Sequence, residues 1–290
     1  MGEAVIELDD VTLLVRTSGP SDGALALCLH GFPDSAHTFR HLAPHLAERG
    51  YRVAAPFMRG YAPSSISKSN NYQLITLASD ALALHERLAG DERAIIIGHD
   101  WGASAVYVAT NAEPTRWSRA VTMAVPPLML VAEALSSYDQ LRLSWYMFYF
   151  QQPNAEEAVT KDDFAFLRRL WLDWSPDYTP DDDLDNVRAS LNDREHLSAA
   201  LGYYRAMFSG AALIDSSQGP LAERAFAAPS VPTLYLQGDS DGCIAPSEPA
   251  KVLEMLSAHS KCETVYGAGH FLHLEQPEAV HLAIDAFLDA

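Results

Sequence analysis

The chain has 290 residues, 48% of them hydrophobic and 20% charged, with a formal net charge of −18. That length can bury a large core, and one domain carrying an insertion suits it better than two equal domains. The negative charge opposes phosphate backbones and anionic membrane surfaces, so neither nucleic acid nor a membrane is an expected partner. No apolar run reaches the length that spans a bilayer. Glu3 and Glu7 stand where a secretory leader would carry basic and then apolar residues. The three cysteines, Cys28, Cys243 and Cys262, are odd in number and lack metal-ligand spacing, which fits a reducing cytoplasm. A soluble cytoplasmic protein is expected, and homo-oligomer formation stays open.

Along the chain, Val5, Ile6 and Leu8, then Val11, Leu13 and Val15, alternate around Asp9-Asp10 and predict an antiparallel hairpin. After a turn at Asp22-Gly23, the apolar run Ala24 to Leu29 predicts a buried strand. Phe39, Leu42 and Leu46 share one helical face, closed by Gly50. Tyr51 to Ala55 reads as the next strand, and Pro56 to Asn71 as irregular. Leu74 to Leu88 predicts a helix stopped at Gly90. A buried strand from Arg93 to Ile97 follows, then a helix from Ala103 to Thr110 and a strand from Ala120 to Val125. Apolar strands alternating with helices mark a mostly parallel sheet covered on both faces, an α/β fold.

Beyond Pro126-Pro127 the alternation stops. Leu128 to Ser217 reads as helices only and is rich in aromatic residues, among them Trp145, Tyr146, Trp171, Trp174, Tyr203 and Tyr204. Strand and helix signals resume at Thr233 to Gln237, Ser247 to His259, Glu263 to Tyr266 and after Pro277. The expected organisation is a core of residues 1–127 and 218–290, with residues 128–217 inserted as a helical cap.

Gly98-His99-Asp100-Trp101-Gly102 has the form glycine-x-nucleophile-x-glycine, set between a buried strand and a helix. Such a turn exposes its central side chain at the carboxyl end of the sheet, and its glycines permit tight packing. Alone, it fits an aspartate helix cap equally well. Asp241 and His270 then follow the next two predicted strands, in Gly238-Asp239-Ser240-Asp241-Gly242 and Gly267-Ala268-Gly269-His270. Nucleophile, acid and histidine thus occur in the order used by a strand-to-helix nucleophile turn. Upstream, His30-Gly31-Phe32-Pro33 follows a strand where an oxyanion-binding segment would lie. The amides of Phe32 and Trp101 are the expected donors.

These segments resemble the α/β-hydrolase superfamily, specifically its aspartate-nucleophile branch of epoxide hydrolases and haloalkane dehalogenases. Arg59-Gly60-Tyr61 and Gly269-His270-Phe271 also fit, so the resemblance spans nearly the whole chain. Phe57, where an acid is common, and Ala62, where glycine is common, depart from the pattern without touching the expected chemistry. The resemblance implies that the inserted helices form a lid. It also implies that Tyr146, in Ser144-Trp145-Tyr146-Met147-Phe148, and Tyr204, in Gly202-Tyr203-Tyr204-Arg205, donate to an epoxide oxygen. Tyr203 and Tyr204 diverge by about 100° on a helix, so one cavity takes one of them. Aromatic packing of lid on core is the competing explanation for both segments.

A carboxylate nucleophile directs the chemistry away from esters, whose attack would give an anhydride, and toward an sp3 carbon bearing a leaving group. His270 would activate water against the resulting ester, with Asp241 orienting the imidazole. Opening an epoxide needs proton donors, which phenols supply; a departing halide needs N–H donors instead. Phe32 and Trp101 also border the expected substrate site. The reading is an epoxide hydrolase acting on a small apolar epoxide and water, without cofactor or metal. A haloalkane dehalogenase using Trp145, Trp171 or Trp174 is the first rival, and a non-catalytic receptor the second. Fluoroacetate dehalogenases carry arginines after the nucleophile, where Trp101 and Ser104 stand here. His37, His41 and His45, spaced along one helical face, read as a polar surface rather than a metal site. Asp181-Asp182-Asp183-Leu184-Asp185 reads as a solvated helix start rather than a calcium loop.

Overall fold

The computed structural model describes residues 2–209 and 229–290. An antiparallel hairpin, β1 (Gly2–Glu7) and β2 (Thr12–Ser18), opens the chain. It joins β3 (Leu25–Leu29), β4 (Arg52–Pro56), β5 (Ile95–His99), β6 (Arg119–Met123), β7 (Thr233–Gly238) and β8 (Lys261–Val265). The eight strands form one sheet in the order β1-β2-β4-β3-β5-β6-β7-β8. Pairing is antiparallel from β1 to β4 and parallel from β4 to β8. β3, β5 and β7 are buried at every residue, as continuous apolar runs in a doubly covered parallel sheet should be.

The covering helices are α1 (Leu42–Glu48), α2 (Leu74–Arg87), α3 (Trp101–Ala112), and, further on, those that follow β7 and β8. Two predicted boundaries shift for local reasons. The stretch carrying Phe39, Leu42 and Leu46 divides into a 3₁₀ turn at Ala36–Arg40, capped by Ser35, and the short α1. At the end of α2, Ala89 rather than glycine takes the left-handed conformation (φ 48°), while the Gly90 amide donates to His85 O at 2.7 Å. A side chain at Gly90 would meet the His85 ring.

Between β6 and β7 lie α4 (Leu128–Ala134), α5 (Tyr138–Leu143), α6 (Trp145–Tyr149), α7 (Ala155–Trp174), α8 (Asp181–Ser190) and α9 (Arg194–Phe208). α7 is two helical segments joined through a left-handed turn at Asp162, Asp163 and Phe164. The expected insertion continues to 217, and residues 210–217 lie outside the described residues. α10 (Pro249–Glu254), α11 (Leu272–Glu275) and α12 (Pro277–Leu288) complete the core. Among the described residues, no helix is long and apolar enough to cross a membrane.

Register sets where the chemistry collects. Leu29 lies beside Gly98, His99 beside Met123, and Gly238 beside Val265. The loops after β3, β5, β7 and β8 therefore leave one sheet edge together, at the carboxyl ends where ligands gather in open α/β sheets.

Candidate active site

Asp100 occupies the turn between β5 and α3 with φ 53° and ψ −118°, a costly conformation for a side-chain-bearing residue. The surroundings enforce it by close approach. A Cβ on Gly98 would lie 2.3 Å from Gly102 O, and one on Gly102 would lie 2.0 Å from Leu29 O. With the backbone so held, Asp100 is 6% exposed, and its Oδ1 accepts the Phe32 amide at 2.8 Å. Trp101, the first residue of α3, has its amide at the open helix N-terminus beside it.

Phe32 is held in turn by its neighbour His30. That imidazole donates from Nδ1 to Gly31 O at 2.9 Å and accepts the Met58 amide at Nε2 at 3.0 Å. These two contacts define a neutral ring, and burial pushes its pKa down to about 4. His30 is thus a buried brace for the loop.

Across the edge, His270 Nδ1 meets Asp241 Oδ2 at 3.0 Å, and His270 Nε2 lies 3.5 Å from Asp100 Oδ2. Asp241 Oδ1 accepts the amides of Cys243 (2.7 Å) and Ile244 (3.0 Å), which orients the carboxylate toward the ring. The carbonyl of Trp174, at the end of α7, accepts both the His270 amide (3.0 Å) and the Gly242 amide (3.1 Å). The Trp174 peptide group therefore ties the Asp241 loop to the His270 loop. Glycine permits this, since a Cβ on Gly242 would lie 2.0 Å from Asp173 O.

Burial disfavours the charged form of Asp100, yet the His270 and His99 imidazoles and the Phe32 amide hold its pKa below the ordinary value. Burial likewise disfavours imidazolium at His270, but Cys243, Asp241 and Asp100 raise it well above the usual histidine value. Burial pushes the Cys243 thiol up, so at neutral pH it is uncharged and the two carboxylates hold the proton on His270. The resting pair is carboxylate and imidazolium.

A cavity of about 260 Å³ opens over Asp100, lined also by Trp101, Tyr146, Tyr204, Leu128 and Met147. The Tyr204 ring meets those of Phe32 (5.3 Å), Trp101 (5.1 Å) and Tyr146 (5.7 Å) edge to face. The Tyr204 hydroxyl is buried and, among the described residues, has no hydrogen-bond partner. Tyr203 also borders the cavity but donates its hydroxyl to Arg59 O at 2.8 Å. Tyr146 OH lies 3.3 Å from Cys243 Sγ. Burial pushes both Tyr146 and Tyr204 well above the ordinary phenol value, keeping their protons in place.

Sequence reasoning missed Gln140 and Cys243. Gln140 is 3% exposed and spans from α5 to the loop that carries Asp241. Its Nε2 donates to Cys243 O (2.9 Å) and Ser144 Oγ (2.9 Å), and its Oε1 accepts the Ala245 amide (3.0 Å). It also missed a buried group of Asp34, His99 and His273, whose ligand-type atoms lie within 4.8 Å of one another. Burial raises Asp34 and lowers both histidines, His99 to about 3, so it favours the uncharged form of all three. His99 donates from Nε2 to His270 O at 2.9 Å and thereby braces His270 from behind. His37 and His45 are engaged elsewhere, the first with Arg16 at 2.6 Å and the second with Asp285 at 2.9 Å.

The model of the alpha/beta hydrolase fold family matches residues 27–277. The chain belongs to that family. Across nearly its full length this α/β hydrolase is similar to Epoxide hydrolase A of Mycobacterium tuberculosis (strain ATCC 25618 / H37Rv), at 28% identity over 99% of this chain and 97% of the relative. It is equally similar to AB hydrolase superfamily protein YfhM of Bacillus subtilis (strain 168), at 28% identity over 98% and 96% of the two chains. The crystal structure of Epoxide Hydrolase A from Mycobacterium thermoresistibile superimposes with a TM-score of 0.81 at 27% identity, covering 100% of this chain and 98% of that one.

Proposed function

We propose that this α/β hydrolase adds water to an epoxide and releases a vicinal diol, through a covalent ester on Asp100. The observation that carries the reading is the pairing of a carboxylate on the nucleophile turn with two buried, protonated phenols in the same cavity. The epoxide-hydrolase names of full-length relatives support it. Helices α4 to α9 serve in this reading as a cap that supplies the phenols and excludes water.

Asp100 Oδ1 is engaged by the Phe32 amide, which leaves Oδ2 to attack a ring carbon. The carbon–oxygen bond breaks as Tyr146 and Tyr204 donate to the departing oxygen. Esterification removes one of the two anions that hold the proton on His270. The imidazolium gives that proton up, replacing the one the phenols supplied. Neutral His270, oriented by Asp241, then takes a proton from water, and the hydroxide attacks Cγ of the Asp100 ester. The Phe32 and Trp101 amides hold the oxyanion on Oδ1. Collapse expels the diol, the re-formed carboxyl gives its proton to the diol oxygen, and Asp100 carboxylate with His270 imidazolium is restored.

A dehalogenase would need indole or amide donors in place of phenols. The Trp171 indole is spent on Pro33 O at 2.9 Å, and Trp145 is 47% exposed. The substrate class that fits the apolar lining is a small, neutral epoxide.

The test is a single turnover of styrene oxide in ¹⁸O-water with enzyme in excess. The ester route puts the label in the peptide containing Asp100 and leaves the first diol unlabelled. Label in the diol alone would replace the ester with direct attack by water. Bromide release from 1-bromohexane without diol formation would move the enzyme to the dehalogenases, and ligand binding without product from either would favour a receptor.

A further inference from the structure

We propose that Cys243, locked in place by Gln140, is a positioning residue that directs the Tyr146 hydroxyl toward the epoxide and supports its oxygen as the proton leaves; this rests on the epoxide-hydrolase reading above. Cys243 is held on both sides of its own backbone. Its amide donates to Asp241 Oδ1 at 2.7 Å, and its carbonyl accepts Gln140 Nε2 at 2.9 Å. Gln140 sits on α5, one turn of helix ahead of Ser144, which it also bonds, and Tyr146 lies in the first turn of the next helix. The acid loop and the helix that presents the phenol are therefore one hydrogen-bonded unit, closed by the 3.3 Å contact between Cys243 Sγ and Tyr146 OH.

The direction of that contact matters. A phenol that gives its proton to an epoxide oxygen cannot give it to sulfur, so in the reacting complex the thiol S–H donates to the Tyr146 oxygen. As negative charge grows on that oxygen during ring opening, the S–H bond strengthens, and the stabilisation belongs to the transition state more than to the bound substrate. Burial keeps the thiol protonated and able to donate. The neighbouring Tyr204 hydroxyl has no such partner among the described residues, so the two phenols are not equivalent: Tyr146 is the supported donor.

The two half-reactions separate this role from a structural one. Alkylation of Asp100 uses the phenols, whereas ester hydrolysis uses His270 and the oxyanion amides. Stopped-flow fluorescence of Trp101, which borders the nucleophile, follows both phases with styrene oxide. Cys243→Val keeps the bulk and loses the donor; it should slow alkylation about five-fold, the worth of a weak bond to a developing charge, and, since the thiol also stands beside His270, change ester hydrolysis by less than that. Cys243→Ser should recover most of the rate. In a Tyr146→Phe background, Cys243→Val should cost nothing further. Gln140→Leu should reproduce the alkylation defect while Tyr146 is intact.

Full additivity of Cys243→Val and Tyr146→Phe, or slowing confined to ester hydrolysis, would overturn the proposal while leaving the activity standing. A wild-type enzyme inert toward epoxides would instead sink the activity. The same double-mutant cycle read in melting temperatures would then decide the contact by itself, with non-additivity supporting it and additivity refuting it.

Discussion

Gly31→Ala tests whether the nucleophile is positioned as tightly as the geometry requires. A Cβ at residue 31 would lie 2.2 Å from Asp100 Oδ1, 2.3 Å from its Cβ and 2.6 Å from its Cγ. Gly31 is not among the residues with a left-handed backbone, so alanine is conformationally acceptable and the whole effect is steric. Relief to an ordinary contact requires a relative shift of about 1.2 Å between the His30–Pro33 loop and the Asp100 carboxylate. That shift breaks the 2.8 Å bond from the Phe32 amide, and a misplacement near 1 Å costs on the order of 100-fold in rate. Overpacking should also destabilise the fold by about 1–3 kcal/mol. The assay is kcat/KM for styrene oxide together with the melting temperature. Gly50→Ala is the control. Gly50 has φ 87° and nothing within 4 Å of an added Cβ, so alanine there should cost about 1–2 kcal/mol of stability with unchanged kinetics. A Gly31→Ala enzyme with kcat/KM within a few-fold of wild type would refute the argument, because the Asp100 carboxylate could then not be held against Gly31.

Tyr204→Phe should slow alkylation about 10- to 100-fold by removing a donor, whereas Tyr203→Phe should leave kcat nearly unchanged and cost about 1 kcal/mol for its lost bond to Arg59 O; stopped-flow and thermal melts distinguish them. Asp241→Asn should lower kcat sharply with little change in the rate of Asp100 alkylation, since the carboxylate that faces His270 Nδ1 at 3.0 Å serves ester hydrolysis, and trapped alkyl-enzyme should accumulate by mass spectrometry. The Arg205 guanidinium draws the Glu156 carboxyl from 4.5 down to about 2. A depressed carboxyl stabilises the fold above its unfolded pKa and loses that contribution as pH falls from about 4.5 toward about 2. Glu156→Gln should therefore melt lower at pH 7 and show a shallower decline of melting temperature across that acid window.

What could be read from the sequence, and what could not, divides by the kind of group involved. Asp100, Asp241 and His270 stand out because each is a distinctive side chain placed just after an apolar strand, and parallel register then gathers those strand ends at one edge. The choice between Tyr203 and Tyr204 rests on contacts far away in sequence. Tyr203 is claimed by the carbonyl of Arg59, 144 residues distant, and no local pattern on α9 encodes that. Gln140 was invisible for a similar reason: its amide satisfies backbone groups at Cys243 and Ala245 across two unrelated segments. The Trp174 carbonyl is the hardest case, because every residue type presents the same peptide oxygen. Yet it fixes the separation of the acid and base loops through Gly242 and His270. The glycines on those loops were the one trace of it in the sequence: Gly242 and Gly269 are small because α7 ends against them. The proposed nucleophile turn can thus be recognised from its residues taken together with Asp241 and His270 at the later strand ends, but the spacing of the loops around Asp100 comes from a helix end whose contribution is made by backbone alone.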